Sequence, residues 1–250
     1  MASPASEAAE EYLAAPAGSS SLDRRTRGAL WICLGAQIVL LFVVGWQNRE
    51  VIESDGLAYV QLASYYVQGK WNLMVSGYWG PMLSWLIAPL LMSGVAPLIA
   101  VRIVCGLSAV LFLISCISVF RRFQLSESRL LLASVLVAVA TLFWSVSVVS
   151  PDLLTGGLVC LAISKMNAPA WLKSKGMAFR AGLLWGAAYL AKAIAFPLAL
   201  MVCIAFATMH ALCDQANLRR LCQQLVVTFL GFSLLAGPWI TFPWQSKRDP

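Results

Sequence analysis

Long runs without charge are the feature that most constrains this chain. Ala29 to Trp46, Leu130 to Val149 and Leu225 to Trp244 contain no charged residue at all. Each approaches the ~20 residues that an α-helix needs to cross a hydrocarbon core ~30 Å thick. Further apolar runs occupy Leu98–Phe120, Leu153–Ile163, Ala181–Ala191 and Ala193–Leu212. Composition agrees with them. The chain is 60% hydrophobic and 12% charged, whereas a soluble domain carries about 25% charged residues. A soluble enzyme, a disordered chain and a nucleic-acid-binding module are all excluded. The fold class that follows is all-α, a polytopic transmembrane bundle of about seven helices.

The net charge of +7 has a topological reading. With residues 1–28 placed in the cytoplasm and every run taken as a full pass, twelve of the 18 Lys and Arg residues fall inside: 24, 25, 27, 121, 122, 129, 165, 173, 175, 180, 219 and 220. Arg49, Lys70, Arg102, Lys192, Lys247 and Arg248 fall outside or near the outer interface. This is the positive-inside asymmetry, and it requires an even number of passes between Arg180 and Arg219. The basic residues therefore serve topology against an anionic leaflet, and no nucleic-acid partner is expected.

Residues 1–28 read as a disordered cytoplasmic tail rich in Ala, Ser, Glu and Pro. The basic stretch before Ala29 resembles the start of a signal sequence. No small-residue cleavage site follows Trp46, so the first run is expected to stay as a helix. Residues 29–246 form the membrane module, and 247–250 an outer tail. Seven cysteines are scattered through the apolar runs without C-x-x-C spacing, which is the pattern of packing residues. The single histidine, His210, ends an apolar run and is expected to pack there, so acid–base chemistry must rest on carboxylates.

The outer loop, residues 47–97, is far longer than the other connections, and long loops are usually functional. The stretch Leu57–Val67 has the spacing of an amphipathic helix, and the many Trp and Tyr residues around it suit the membrane interface. Met82–Met92 is expected to dip into the bilayer as a half-span broken by Pro81, Pro89 and Gly94. Glu53 and Asp55 head the segment. Two carboxylates this close suit a divalent cation or a general base; Asp55 before Gly56 equally suits a helix N-cap.

Asp55-Gly56-Leu57-Ala58-Tyr59, followed by Ala63, Gly69 and Gly80-Pro81-Met82-Leu83-Ser84-Trp85-Leu86-Ile87-Ala88-Pro89, resembles the first outer loop of GT-C-type membrane glycosyltransferases. Those are the relatives of protein O-mannosyltransferases and aminoarabinose transferases. Ser150-Pro151-Asp152-Leu153-Leu154, Gly186-Ala187-Ala188-Tyr189-Leu190-Ala191-Lys192 and Gly237-Pro238-Trp239 follow in the same order as the family's later motifs. The resemblance spans nearly all of the chain after residue 29 and corresponds to the family's N-terminal seven-helix module, beyond which its members normally continue.

The resemblance implies a sugar donor carried on a polyprenyl phosphate and an inverting transfer, at the outer face of an inner (plasma) membrane, to an unknown glycan, lipid or protein acceptor. It makes Asp55 the general base and Glu53 a second carboxylate for metal or acceptor. Asp152, Lys192, Arg102 and Tyr59 become substrate-binding candidates. Asp152 equally fits a helix cap after Ser150-Pro151. Lys192 fits a phosphate-binding point charge or a side chain snorkelling to the interface. The absence of a Gly-rich phosphate loop suits a lipid-linked donor. The competing expectation is a non-catalytic membrane protein, either a transporter subunit or a degenerate module that binds a lipid carrier or partner. No internal repeat of transporter type is evident.

Overall fold

A computed structural model of the chain describes residues 22–70, 72–76, 78–213 and 218–246. The expected tails at 1–21 and 247–250, Trp71, and the side chains of His210 and Trp244 lie outside the described residues. Among the described residues there are nine helices and no strand. They are α1 (Arg24–Gln47), α2 (Ser54–Val67), α3 (Pro81–Met92), α4 (Pro97–Arg122), α5 (Glu127–Ser147), α6 (Asp152–Met166), α7 (Lys175–Ala191), α8 (Ala195–Cys213) and α9 (Leu218–Ser246). Four of them, α1, α4, α5 and α9, are long and apolar enough to cross a membrane. The 15 residues of α6 and the 17 of α7 fall short of the usual span.

Several helices start earlier than their apolar runs. α1 takes in Arg24–Gly28 from the expected tail, and α7 reaches back from Ala181 to Lys175. Lys and Arg are good helix formers, so charge ends an apolar run without ending a helix. In the outer loop, Pro81 begins α3 instead of breaking it, as Pro does at a first helical position. Pro89 lies inside the same helix, and Gly94, at φ 83°, follows its end.

Hydrogen bonds fix the relative directions. The Asp23 N–H donates to Glu127 Oε1 at 3.1 Å, and the Thr26 hydroxyl donates to the same carboxylate. Further along, Gln37 Nε2 donates to Thr141 Oγ1 at 2.8 Å and to the Ala109 carbonyl at 3.4 Å, so α1 and α5 run parallel. Thr26 and Gln37 are the buried residues of α1, while Trp31, Ile32 and Phe42 face outward. α7 and α9 are likewise parallel. Gln224 Nε2 donates to the Leu172 carbonyl and Thr228 Oγ1 to the Ala178 carbonyl, each at 3.2 Å. Gly182 and Gly186 make that pair possible. A Cβ on either would fall 2.9 Å from a backbone atom of Phe232, and small residues at four-residue spacing let membrane helices approach this closely.

The starts of α1, α5, α7 and α9 thus gather with the ends of α4 and α6 at one end of the bundle. All twelve basic residues grouped above lie at or within two turns of those termini. The opposite end carries α2 and α3. They dock on α4 through Tyr59, Ala63, Leu83 and Ile87 against Val101 and Val104. Leu83 and Ile87 are fully buried, each a gain of about 1.5–3 kcal/mol over leaving it in water. A second apolar cluster centres on Trp171 and Trp185 between α6, α7 and α9. A third, of Leu154, Leu158, Ala187, Ala188 and Ala191, joins α6 to α7 beneath the outer loop.

Candidate active site

Four separate stretches of chain meet at the end opposite the basic residues: the start of α2, the approach to α3, the α5–α6 turn and the α7–α8 turn. They enclose a cavity of about 250 Å³. Asp55, Glu53, Tyr59, Asp152 and Lys192, singled out from sequence, all line it, together with Tyr78, Trp79, Gly80, Val148–Pro151 and Ala193.

Helix termini place the charges. Glu53 holds the N-cap position of α2, and Asp55 lies in its first turn, so the cap is one residue pair earlier than Asp55-Gly56 implies. Asp152 is the first residue of α6, and Lys192 is the C-cap of α7. Acids at N-termini and a base at a C-terminus each complement the local helix dipole. Ser150 Oγ donates to Asp152 Oδ2 at 3.0 Å and accepts the Asp152 N–H at 3.4 Å. Asp152 Oδ1 forms an ion pair with Lys192 Nζ, so the carboxylate holds a hydroxyl and an ammonium. The helix-cap reading of Asp152 is not what is observed: Pro151 is the N-cap, with no side-chain cap bond.

The three carboxylates differ in what they already hold. Glu53 Oε1 accepts the Val149 N–H at 2.8 Å, and Asp152 holds Lys192 and Ser150. Asp55 has no hydrogen bond or ion pair with any described residue and is exposed to the cavity. Among the described residues no group of three or more His, Cys, Asp or Glu is arranged to hold a metal ion. Glu53 and Asp55 make a two-carboxylate set with one oxygen already engaged.

Aromatic rings form one wall. Tyr59 is 3% exposed and meets Trp79 edge-on, 5.0 Å between centroids and 66° between planes. Trp79 in turn meets the exposed Tyr78 at 4.7 Å and 83°. Ser84 Oγ donates to the Tyr59 carbonyl at 3.0 Å, tying α3 to α2. Burial, then the charges of Asp152 and Asp55, and finally Tyr78, push the Tyr59 phenol well above its ordinary value of 10.0. It stays protonated, a donor facing a carboxylate-lined space. Gly80 closes the floor, where a Cβ would fall 2.9 Å from the Ala191 carbonyl carbon.

Arg102 is not brought into the cavity. Its Nη1 donates to the Ser145 and Val146 carbonyls at 3.1 and 2.9 Å, and its Nη2 to the Val51 carbonyl. Ordered backbone thus takes the donors that a phosphate would need. Gly80 entered a sequence motif without being placed at the site, and the backbone of Val148 and Val149 was missed. The two valines left no signal in the sequence.

No family model matches this chain, and it matches no curated protein and no solved structure either.

Proposed function

We propose that the chain is a membrane glycosyltransferase of GT-C type, moving a sugar from a polyprenyl-phosphate donor to an acceptor at the cavity end of the bundle. The observation that carries this reading is Asp55, a carboxylate without an internal partner. It shares its cavity with a protonated phenol, an aromatic wall and a lysine.

Asp55 accepts the proton of the acceptor hydroxyl or amine as that atom attacks the anomeric carbon from the face opposite the phosphate. The new bond forms, the bond between the anomeric carbon and the phosphate oxygen breaks, and the configuration inverts. The departing polyprenyl phosphate gains negative charge, which Lys192 offsets after exchanging Asp152 for it. Tyr59 and Trp79 supply a hydrogen-bond donor and an apolar edge against the sugar.

We place the cavity on the outer face of a bacterial inner membrane with the N-terminus in the cytoplasm. α1 and α4–α9 then make seven crossings, and the short α6 and α7 cross beneath the roof of α2 and α3. The alternation of helix directions and the basic residues at one end support that topology.

The experiment is a glycan profile of the cell envelope after gene deletion, rescued with wild type or Asp55→Asn. A well-placed base contributes about 10²–10⁴-fold, so a modification restored by wild type alone is expected. Full rescue by Asp55→Asn would instead favour a non-catalytic module that binds the lipid carrier.

A further inference from the structure

Two charged side chains at or behind the cavity wall are engaged by backbone: Glu53, which lines the cavity, and Arg102, which does not. Arg102, one turn into α4, grips three carbonyls on two different segments: Ser145 and Val146 at the end of α5, and Val51 in the strand of chain leading to α2. Glu53 returns the connection, accepting the Val149 N–H at 2.8 Å. Between them Gly56 leaves no slack, since an added Cβ would fall 2.8 Å from both Val149 Cβ and Ile52 Cγ1. Val51–Gly56 and Ser145–Val149 are therefore clamped together from two sides.

The clamp ends next to both of the other cavity acids. Asp55 is two residues beyond Glu53, and Asp152 is three beyond Val149. Neither acid touches the other's segment by its own side chain, so nothing else among the described hydrogen bonds sets their separation. We infer that Glu53 and Arg102 are positioning residues that hold Asp55 and Asp152 across the cavity, and that Glu53 is neither a metal ligand nor a base. The clamp itself stands on the geometry alone; its importance for sugar transfer rests on the function proposed above.

The chemistry of the two roles differs at one atom. Accepting one amide N–H requires an oxygen but no charge, so Glu53→Gln keeps the clamp and Glu53→Ala removes it. A metal ligand or general base fails in both. Arg102→Lys keeps the charge but loses the planar fork that reaches three carbonyls.

Hydrogen exchange read by mass spectrometry on the full chain in nanodiscs tests the clamp directly. Glu53→Ala and Arg102→Lys are expected to speed exchange in peptides covering 48–56 and 145–152 by about tenfold or more. Glu53→Gln stays near wild type, and α7 and α9 are unchanged in all three. Unchanged exchange in Glu53→Ala, or acceleration spread over the whole bundle, overturns the clamp.

Transfer kinetics test its purpose. Misplacing a reacting group by about 1 Å costs on the order of 10²-fold, so Glu53→Ala should lower kcat by about that factor with little change in KM, and Glu53→Gln should recover most of it. A Glu53→Gln enzyme with native exchange but no turnover overturns the positioning role. If wild type shows no sugar transfer, the transferase reading fails, and if Asp55→Asn has full activity, the base assignment fails; in either case the exchange result still decides the clamp.

Discussion

Asp152 and Lys192 neutralise each other when no ligand is present, and this governs what their variants should do. Asp152→Asn frees the ammonium, so the binding of a soluble short-chain prenyl phosphate should tighten several-fold by calorimetry. Lys192→Met should weaken it by about tenfold, in the range of one exposed charge-assisted contact of about 1.5–3 kcal/mol reduced by water. Equal effects of the two variants would mean that the pair acts only as a strut. Tyr59 makes a prediction about pH. Its native phenol keeps its proton at a pH where the unfolded chain gives its proton up. The stabilisation is therefore whole below about pH 10 and is lost as pH rises from there toward the raised native value. Thermal unfolding in detergent should show an alkaline decline that Tyr59→Phe flattens. At this scale the sequence was informative about residue type and silent about partners. Acids and a lysine in outer segments can be picked out by eye, but the orientation of Glu53 and Arg102 depends on a carbonyl and an amide more than forty and ninety residues away.

At the scale of the element, apolar periodicity locates every helix, and helix ends are where it fails. Charge marks the membrane boundary, whereas backbone hydrogen bonding continues through Arg24–Arg27 and Lys175–Arg180 because those side chains favour it. Pro81 shows the same distinction from the other side, as a helix start in a position that reads as a break. The α7–α9 contact is set by glycine. Gly182→Leu should drive α9 away from α7 and destabilise the bundle by more than about 2 kcal/mol, the cost of forced overpacking. The same change at Gly35, where an added Cβ meets nothing within 4 Å, should be near neutral. Unfolding midpoints of the two variants in one detergent would check this, and comparable losses would argue against the close packing.

For the whole molecule, the separation of twelve basic residues from the cavity predicts sidedness. Single cysteines at Ser126 and Ser174 should react only with reagents that reach the cytoplasm, and one at Ser76 only with those applied outside. Any of the three reacting from the wrong side would overturn the proposed seven-crossing topology. The general architecture was legible from the sequence because apolar length and Lys/Arg distribution are whole-chain quantities. The meeting of four segments at one cavity was not, since it depends on which helices run parallel, and that is fixed by Gln37, Thr228 and the glycines.

The bonding of α1 has a consequence for biogenesis. In lipid there is no solvent pressure to drive a greasy helix onto its neighbours, and the buried residues of α1 are a threonine and a glutamine whose partners lie on α4 and α5. Until α5 has been made, α1 can therefore reach only the Ala109 carbonyl of α4 through Gln37, because its other two partners lie 101 and 104 residues further along the chain. Its full docking marks the moment when the Glu127 and Thr141 face of α5 has arrived.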